Sequence, residues 1–149
     1  MLFEAWPVGD AVKIAFIVAG LAAQFLAVAL GGAVGAGLRF LVGLGVHSWL
    51  GRGFPWGTLA VNLIGSAIIG YLLVVLPEHP SASPLPRLLL VTGVLGGFTT
   101  YSAFSVETLQ LFHAGQGGKA AWNVAITMVC CLLAVWAGHG LARWLHAPA

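Results

Sequence analysis

Thr58, Asn62 and Ser66 stand four apart in the uncharged stretch "GTLAVNLIGSAIIG". That spacing puts them on one face of a helix. An asparagine inside an apolar helix must bond across to a neighbouring helix or line water. It either ties helices together or presents its amide N–H to a polar ligand or an anion. An amide suits an anion because it offers partial positive charge without the full charge that would trap the ion. Asn123, Thr127 and Cys131 repeat the four-residue spacing later in the chain. They form either a second polar track or, for Asn123 near a helix start, an interface residue.

Between these two faces lies "GGFTTYSAFSVET", residues 96–108. Tyr101, Phe104 and Thr108 fall at i, i+3 and i+7, on one helical face. Aromatic residues at that spacing either pack or present ring edges, whose positive quadrupole density attracts anions. Glu107 is the only acidic residue in any predicted span. It is either a proton-exchanging carboxylate or the hydrogen-bond partner of a nearby threonine or serine. With no paired base it offers no hydrolytic mechanism, and no nucleophile–base pair argues for an enzyme. Arg39 either snorkels to an interface or is neutralised inside the protein. His47, His79, His113 and His146 sit at loops or ends and His139 near the end of the last helix. They show no metal-ligand spacing and read as interface residues. Cys130 and Cys131 are neighbours in an apolar segment and read as small packing residues.

These side chains need elements that can hold them in lipid. Of 149 residues, 60% are hydrophobic and 7% charged, against about a quarter charged in ordinary soluble domains. The net charge of +2 gives no basic tract for nucleic acid. The solvent is therefore a bilayer, and the length allows roughly four spans of about 20 residues each. The first helix is predicted at 22–46, with 1–20 as an N-terminal extension lying at the interface. The loop "GRGFP" leads to a second helix at 57–76. The proline-rich connector "PEHPSASPLP", 77–86, cannot continue a helix. A third segment at 87–113, a glycine-rich turn "HAGQGGK" at 113–119 and a fourth helix at 120–144 complete the chain. Residues 21–146 thus form a single four-helix membrane domain.

Four spans put Lys13, Arg87 and Arg143 on one side and Arg52 and Lys119 on the other, with Arg39 inside the first helix. Three against two is a weak bias under the positive-inside rule, and it is compatible with insertion in both directions and pairing of opposed copies. Gly31 and Gly35, and Gly93 and Gly97, have the small-xxx-small spacing that lets helices approach closely. The glycines and the Thr99–Thr100 pair also weaken the third helix. A break there frees backbone groups that only protein, water or an ion can satisfy. Freed carbonyls are hard oxygen ligands suited to a small cation such as sodium. A continuous, glycine-rich packing helix is the alternative.

In order and spacing, "GGAVGAGLRF", "GTLAVNLIGS" and "GVLGGFTTYSAFSVET" resemble the motifs of the Fluc (CrcB-type) fluoride channel family of bacteria. The resemblance covers about residues 28–145. It implies an all-α membrane protein of four transmembrane helices, the third broken at mid-membrane, assembled as an antiparallel dual-topology homodimer in the bacterial inner membrane. It implies passive, chloride-excluding passage of fluoride, which protects the cell from fluoride. It also implies a structural sodium ion (Na+) at the dimer centre, held by the backbone carbonyls of Gly96 and Thr99. By motif position the fluoride path takes in Asn62, Thr58, Tyr101, Phe104, Thr108, Glu107 and Arg39, with Asn123, Thr127 and Cys131 on the fourth helix. Tyr101 stands where phenylalanine is frequent, and Asn123 and Cys131 where tyrosine and serine are common.

Two rival readings make different demands. A small proton-coupled multidrug exporter needs a carboxylate deep in the first helix, and no Asp or Glu lies between Leu21 and Val46. A non-transporting membrane scaffold bound through its glycine faces would not require two polar stripes and a helix break.

Overall fold

The computed structural model describes residues 8–76 and 82–147. Within them every regular element is helical, and four segments are long and apolar enough to cross a membrane. The chain is a multi-pass membrane protein.

The first helix, α1 (Val8–Leu50), runs for 43 residues without interruption. At about 1.5 Å per residue it is about 64 Å long, twice the roughly 30 Å of a hydrocarbon core. The sequence reading divided this stretch into an extension at 1–20 and a span at 22–46, but residues 8–21 continue the same helix. The reason is local. No proline or polar cap stands between Ala11 and Leu21, and lone glycines at 9 and 20 lower helix propensity without ending a turn. Asp10 and Lys13 even pair at 3.2 Å on the exposed first turns. Residues 1–7 of the expected extension lie outside the described residues.

α2 (Trp56–Val75) matches the predicted second span to within a residue at each end. Residues 77–81 of the proline-rich connector, including His79, lie outside the described residues. The third segment begins with α3 (Leu85–Arg87), which passes into a π-helical stretch, Leu88–Leu95, and then α4 (Gly96–Phe98). Thr99 and Thr100 are extended, with φ/ψ of −81°/158° and −154°/114°. α5 (Tyr101–His113) follows. The last helix, α6 (Gly117–Leu145), starts three residues before the predicted 120. The turn therefore shrinks to Ala114–Gln116, with Gly115 at φ +71°. Gly117 and Gly118 enter the helix because their neighbours impose no other conformation and no tertiary contact opposes it.

Two packings organise the bundle: α2 against α6, and α1 against the π-helical stretch and α4. Both depend on missing side chains. A Cβ on Gly31 would run into the Leu89 carbonyl, and one on Gly138 into the Ala67 carbonyl. The backbones there are in direct contact, which is how helices gain van der Waals attraction in lipid. Few side chains are fully enclosed; Val61 (1% exposed) and Asn123 (2%) are the largest. The outer surface carries Phe16, Phe25, Phe40, Trp136 and Trp144, all well exposed, as lipid-facing residues require.

Candidate functional site

The two extended residues give the site its shape. The Thr100 hydroxyl accepts a bond from the Ala103 N–H at 3.2 Å and so caps the start of α5. Threonine is a favoured N-cap because its oxygen satisfies an N–H that the first turn leaves open. The Thr99 hydroxyl donates to the Leu95 carbonyl at 2.9 Å, closing the preceding turn.

Asn62 on α2 meets the peptide groups of Thr100 with both ends of its amide. Its Oδ1 accepts from the Thr100 N–H at 2.7 Å, and its Nδ2 donates to the Thr100 carbonyl at 3.1 Å. The NH2 group has two hydrogens, so one donor remains beyond the Thr100 bond. These bonds have a backbone consequence. In a continued helix the Gly96 carbonyl would accept from Thr100 N–H, and the Thr99 carbonyl from Ala103 N–H. Those two N–H groups go to Asn62 and to the Thr100 hydroxyl instead. The carbonyls of Gly96 and Thr99 are thereby released from helical pairing. Two hard oxygens suit a hard monovalent cation, although one chain supplies only part of a coordination shell.

Asn62, Gly96, Thr99, Tyr101, Phe104, Thr127 and Cys131 come together around one cavity of about 410 Å³, with Thr100 and Ser66 beside them. The rings of Tyr101 and Phe104 are tilted, with centroids 5.4 Å apart. Phe104 is buried, whereas Tyr101 is 75% exposed. The Thr127 hydroxyl is buried and has no hydrogen-bond partner among the described residues. A buried hydroxyl left unpaired is costly, so this one is available to a guest in the cavity. Hydroxyls, an amide N–H and ring edges on one wall make a surface that can replace water around a small anion.

The other predicted residues lie elsewhere. Thr58 donates to Glu107 Oε1 at 2.8 Å, which is the threonine partner that the sequence left as one alternative for this carboxylate. Arg39 lines a second cavity of about 370 Å³ with Thr58, His47 and Thr100. Thr108 and Asn123 bond to each other: Asn123 Nδ2 donates to Thr108 Oγ1 at 2.8 Å, and Thr108 donates to the Phe104 carbonyl at 2.7 Å. That relay ties α6 to α5 and fixes the backbone of Phe104. Asn123 is enclosed and does not line the cavity beside Asn62.

Two positions at these cavities escaped the sequence reading. Thr100 is the residue whose peptide group Asn62 holds; its signal was the N-cap preference of threonine before a helical stretch. His47, read as an interface residue, lines the second cavity and a third. Nothing in its spacing announced that.

Comparisons with known proteins place the chain in a family. A family profile described as "CrcB-like protein, Camphor Resistance (CrcB)" matches residues 26–139. A Methylococcus capsulatus protein named "Fluoride-specific ion channel FluC" is 49% identical over 82% of the chain, covering 54% of that relative. The chain thus spans about half the length of that relative. Proteins of the same name from Agrobacterium fabrum and Magnetococcus marinus are 47% and 44% identical, over 78% and 80% of the chain and 93% and 98% of their own lengths. A profile that takes in the glycine contacts of α1, the Asn62–Thr100 pair and most of α6 leaves one assignment: the chain belongs to the CrcB-like family.

Proposed function

We propose that this chain forms a fluoride-selective channel that lets fluoride leave the cell passively across the bacterial inner membrane. Two copies inserted in opposite directions make the assembly, with a structural sodium ion at its centre. The observation that carries the reading is the pair of hydrogen bonds between the Asn62 amide and the peptide groups of Thr100, beside a cavity walled by Tyr101, Phe104 and Thr127. The names of the relatives supply the ion. Fluoride is small and tightly hydrated. A path for it must offer donors in place of water and yet hold the ion loosely enough for it to depart. The second amide hydrogen of Asn62, the unpaired Thr127 hydroxyl and the edges of Tyr101 and Phe104 meet that need.

The extended pair Thr99–Thr100 is read as a mid-membrane break in the third span. The carbonyls of Gly96 and Thr99 would hold the sodium. A twofold axis doubles them to four oxygens, which is why the ion belongs between two copies. A bound cation there supplies fixed positive charge next to the anion path and locks the two copies together. The exposed side of Tyr101 is the side that a second copy would close.

The test is fluoride efflux from vesicles containing the purified protein, read with a fluoride electrode under a clamped potential. Fluoride should leave faster than from protein-free vesicles while chloride stays behind. Absence of fluoride efflux from correctly inserted protein refutes the channel. Exhaustive sodium depletion should weaken dimer association or flux; if it changes neither, the carbonyl site is misassigned.

A further inference from the structure

Three cavities follow one another from the α1–α2 loop toward the Asn62 site. The outermost, about 490 Å³, is lined by Arg52 and Glu107. The middle one, about 370 Å³, is lined by Arg39 and Thr58. The innermost is the 410 Å³ cavity already described. His47 alone lines both the outer and the middle cavity, and Thr100 alone lines both the middle and the inner one. The Thr58–Glu107 hydrogen bond joins a residue of the middle cavity to one of the outer, so these two side chains form part of the wall between them. The imidazole stands at the neck.

Its position is firmly set. His47 lies in the last turn of α1, and its carbonyl accepts from the Gly51 N–H at 3.1 Å. Its ring lies over Gly57 of α2 so closely that a Cβ there would come within 3.1 Å of Cε1. Two arginines flank it, Arg39 inward and Arg52 outward. Neither guanidinium has an ion-pair or hydrogen-bond partner among the described residues. Unpaired cations lining adjoining cavities raise the local concentration of anions. The remaining charged groups near this neck are Glu107 from α5 and Lys119 from α6, whose ammonium bonds the Gly53 carbonyl at 3.0 Å. From α2 the middle cavity is lined by the uncharged Gly57, Thr58 and Val61.

We infer that His47 governs the passage of anions between the outer and middle cavities, handing them from the Arg52 side to the Arg39 side. A positive charge at position 47 would complete a row of three cations; a neutral side chain there leaves a gap between the two arginines. The inference rests on the channel reading above and adds to it a rate-setting residue at the entrance.

The experiment measures fluoride efflux from vesicles at one fixed pH, with protein-free vesicles as the background. Wild type is compared with His47→Lys, which fixes a positive charge between the two cavities, and with His47→Gln, which cannot carry one. His47→Lys should conduct about fivefold faster than His47→Gln, the factor that one added unit charge about 4 Å away contributes in a water-like dielectric. A wild type that conducts, with His47→Lys and His47→Gln conducting equally, overturns the inference and leaves the channel standing. Should His47→Gln fail to fold, His47→Ala takes its place in the same comparison, with the same outcome overturning the inference. A wild type with no efflux above background removes both.

Discussion

Replacing Asn62 by alanine should unlock the third segment, because both ends of one amide hold one peptide unit. The variant loses the 2.7 Å bond from Thr100 N–H and the 3.1 Å bond to its carbonyl. Thr100 is only 8% exposed, so its N–H and C=O are left without their partner away from bulk water. Each such group costs about 1–3 kcal/mol, or about 2–6 kcal/mol for the two. The truncated side chain opens room beside the cavity, and water entering there would offset part of that cost. The expected loss is therefore at the low end, about 2–3 kcal/mol, or about 4–12 °C in thermal midpoint for a chain of this size. Thermal unfolding in detergent, followed by helical circular dichroism, reads it directly. Asn62→Asp sharpens the test. It keeps an acceptor for Thr100 N–H but sets an oxygen against the Thr100 carbonyl, and it places a negative charge where an anion must pass. It should conduct less than Asn62→Ala at comparable stability. If Asn62→Ala melts with the wild type, the amide does not hold Thr100. If Asn62→Asp conducts as well as Asn62→Ala, the amide does not face the anion.

Thr127→Val removes a buried hydroxyl that has no partner among the described residues; it should leave the melting midpoint unchanged or raise it, while lowering fluoride efflux. A drop in both would mean that the hydroxyl is structural. Phe104→Ile keeps an apolar side chain but removes the ring whose centroid lies 5.4 Å from that of Tyr101; efflux should fall while size-exclusion chromatography shows the assembly intact, and unchanged efflux removes Phe104 from the path. Gly138→Ala sets a methyl group against the Ala67 carbonyl, and such overpacking should cost about 1–3 kcal/mol; a midpoint equal to wild type would show that α2 and α6 can separate freely.

The polar face of α2 was legible because spacing alone places Thr58, Asn62 and Ser66 together. Their partners were not. Asn62 bonds a backbone unit 38 positions away and Thr58 a carboxylate 49 positions away, and such pairings depend on how the helices cross. The two extended residues after Phe98 fall where the glycines and the threonine pair weaken helix propensity, but which N–H groups Gly96 and Thr99 lose depends on a partner 38 positions away. The length of α1 was misjudged for a simple reason. An apolar run without proline or cap carries no mark of where a helix begins, and bilayer thickness supplied a boundary the chain does not respect. The π-helical turn at Leu88–Leu95 had no signal in residue type, although such turns gather at functional sites. Asn123 shows the limit of spacing: it stands four from Thr127, yet its amide donates to Thr108, a neighbour the spacing does not reveal.

The uninterrupted α1 also bears on where in a cell such a chain would settle. Lys13 and Arg39 bracket 25 uncharged residues, Ile14 to Leu38, on one rigid rod. That stretch is about 37 Å long, some 7 Å more than an average hydrocarbon core. A helix cannot shorten, so the rod must lean or the surrounding lipid must stretch to meet it. Each ångström of mismatch costs a fraction of a kcal/mol. Thicker patches of membrane relieve that cost, and the chain should collect in them by lipid mechanics alone.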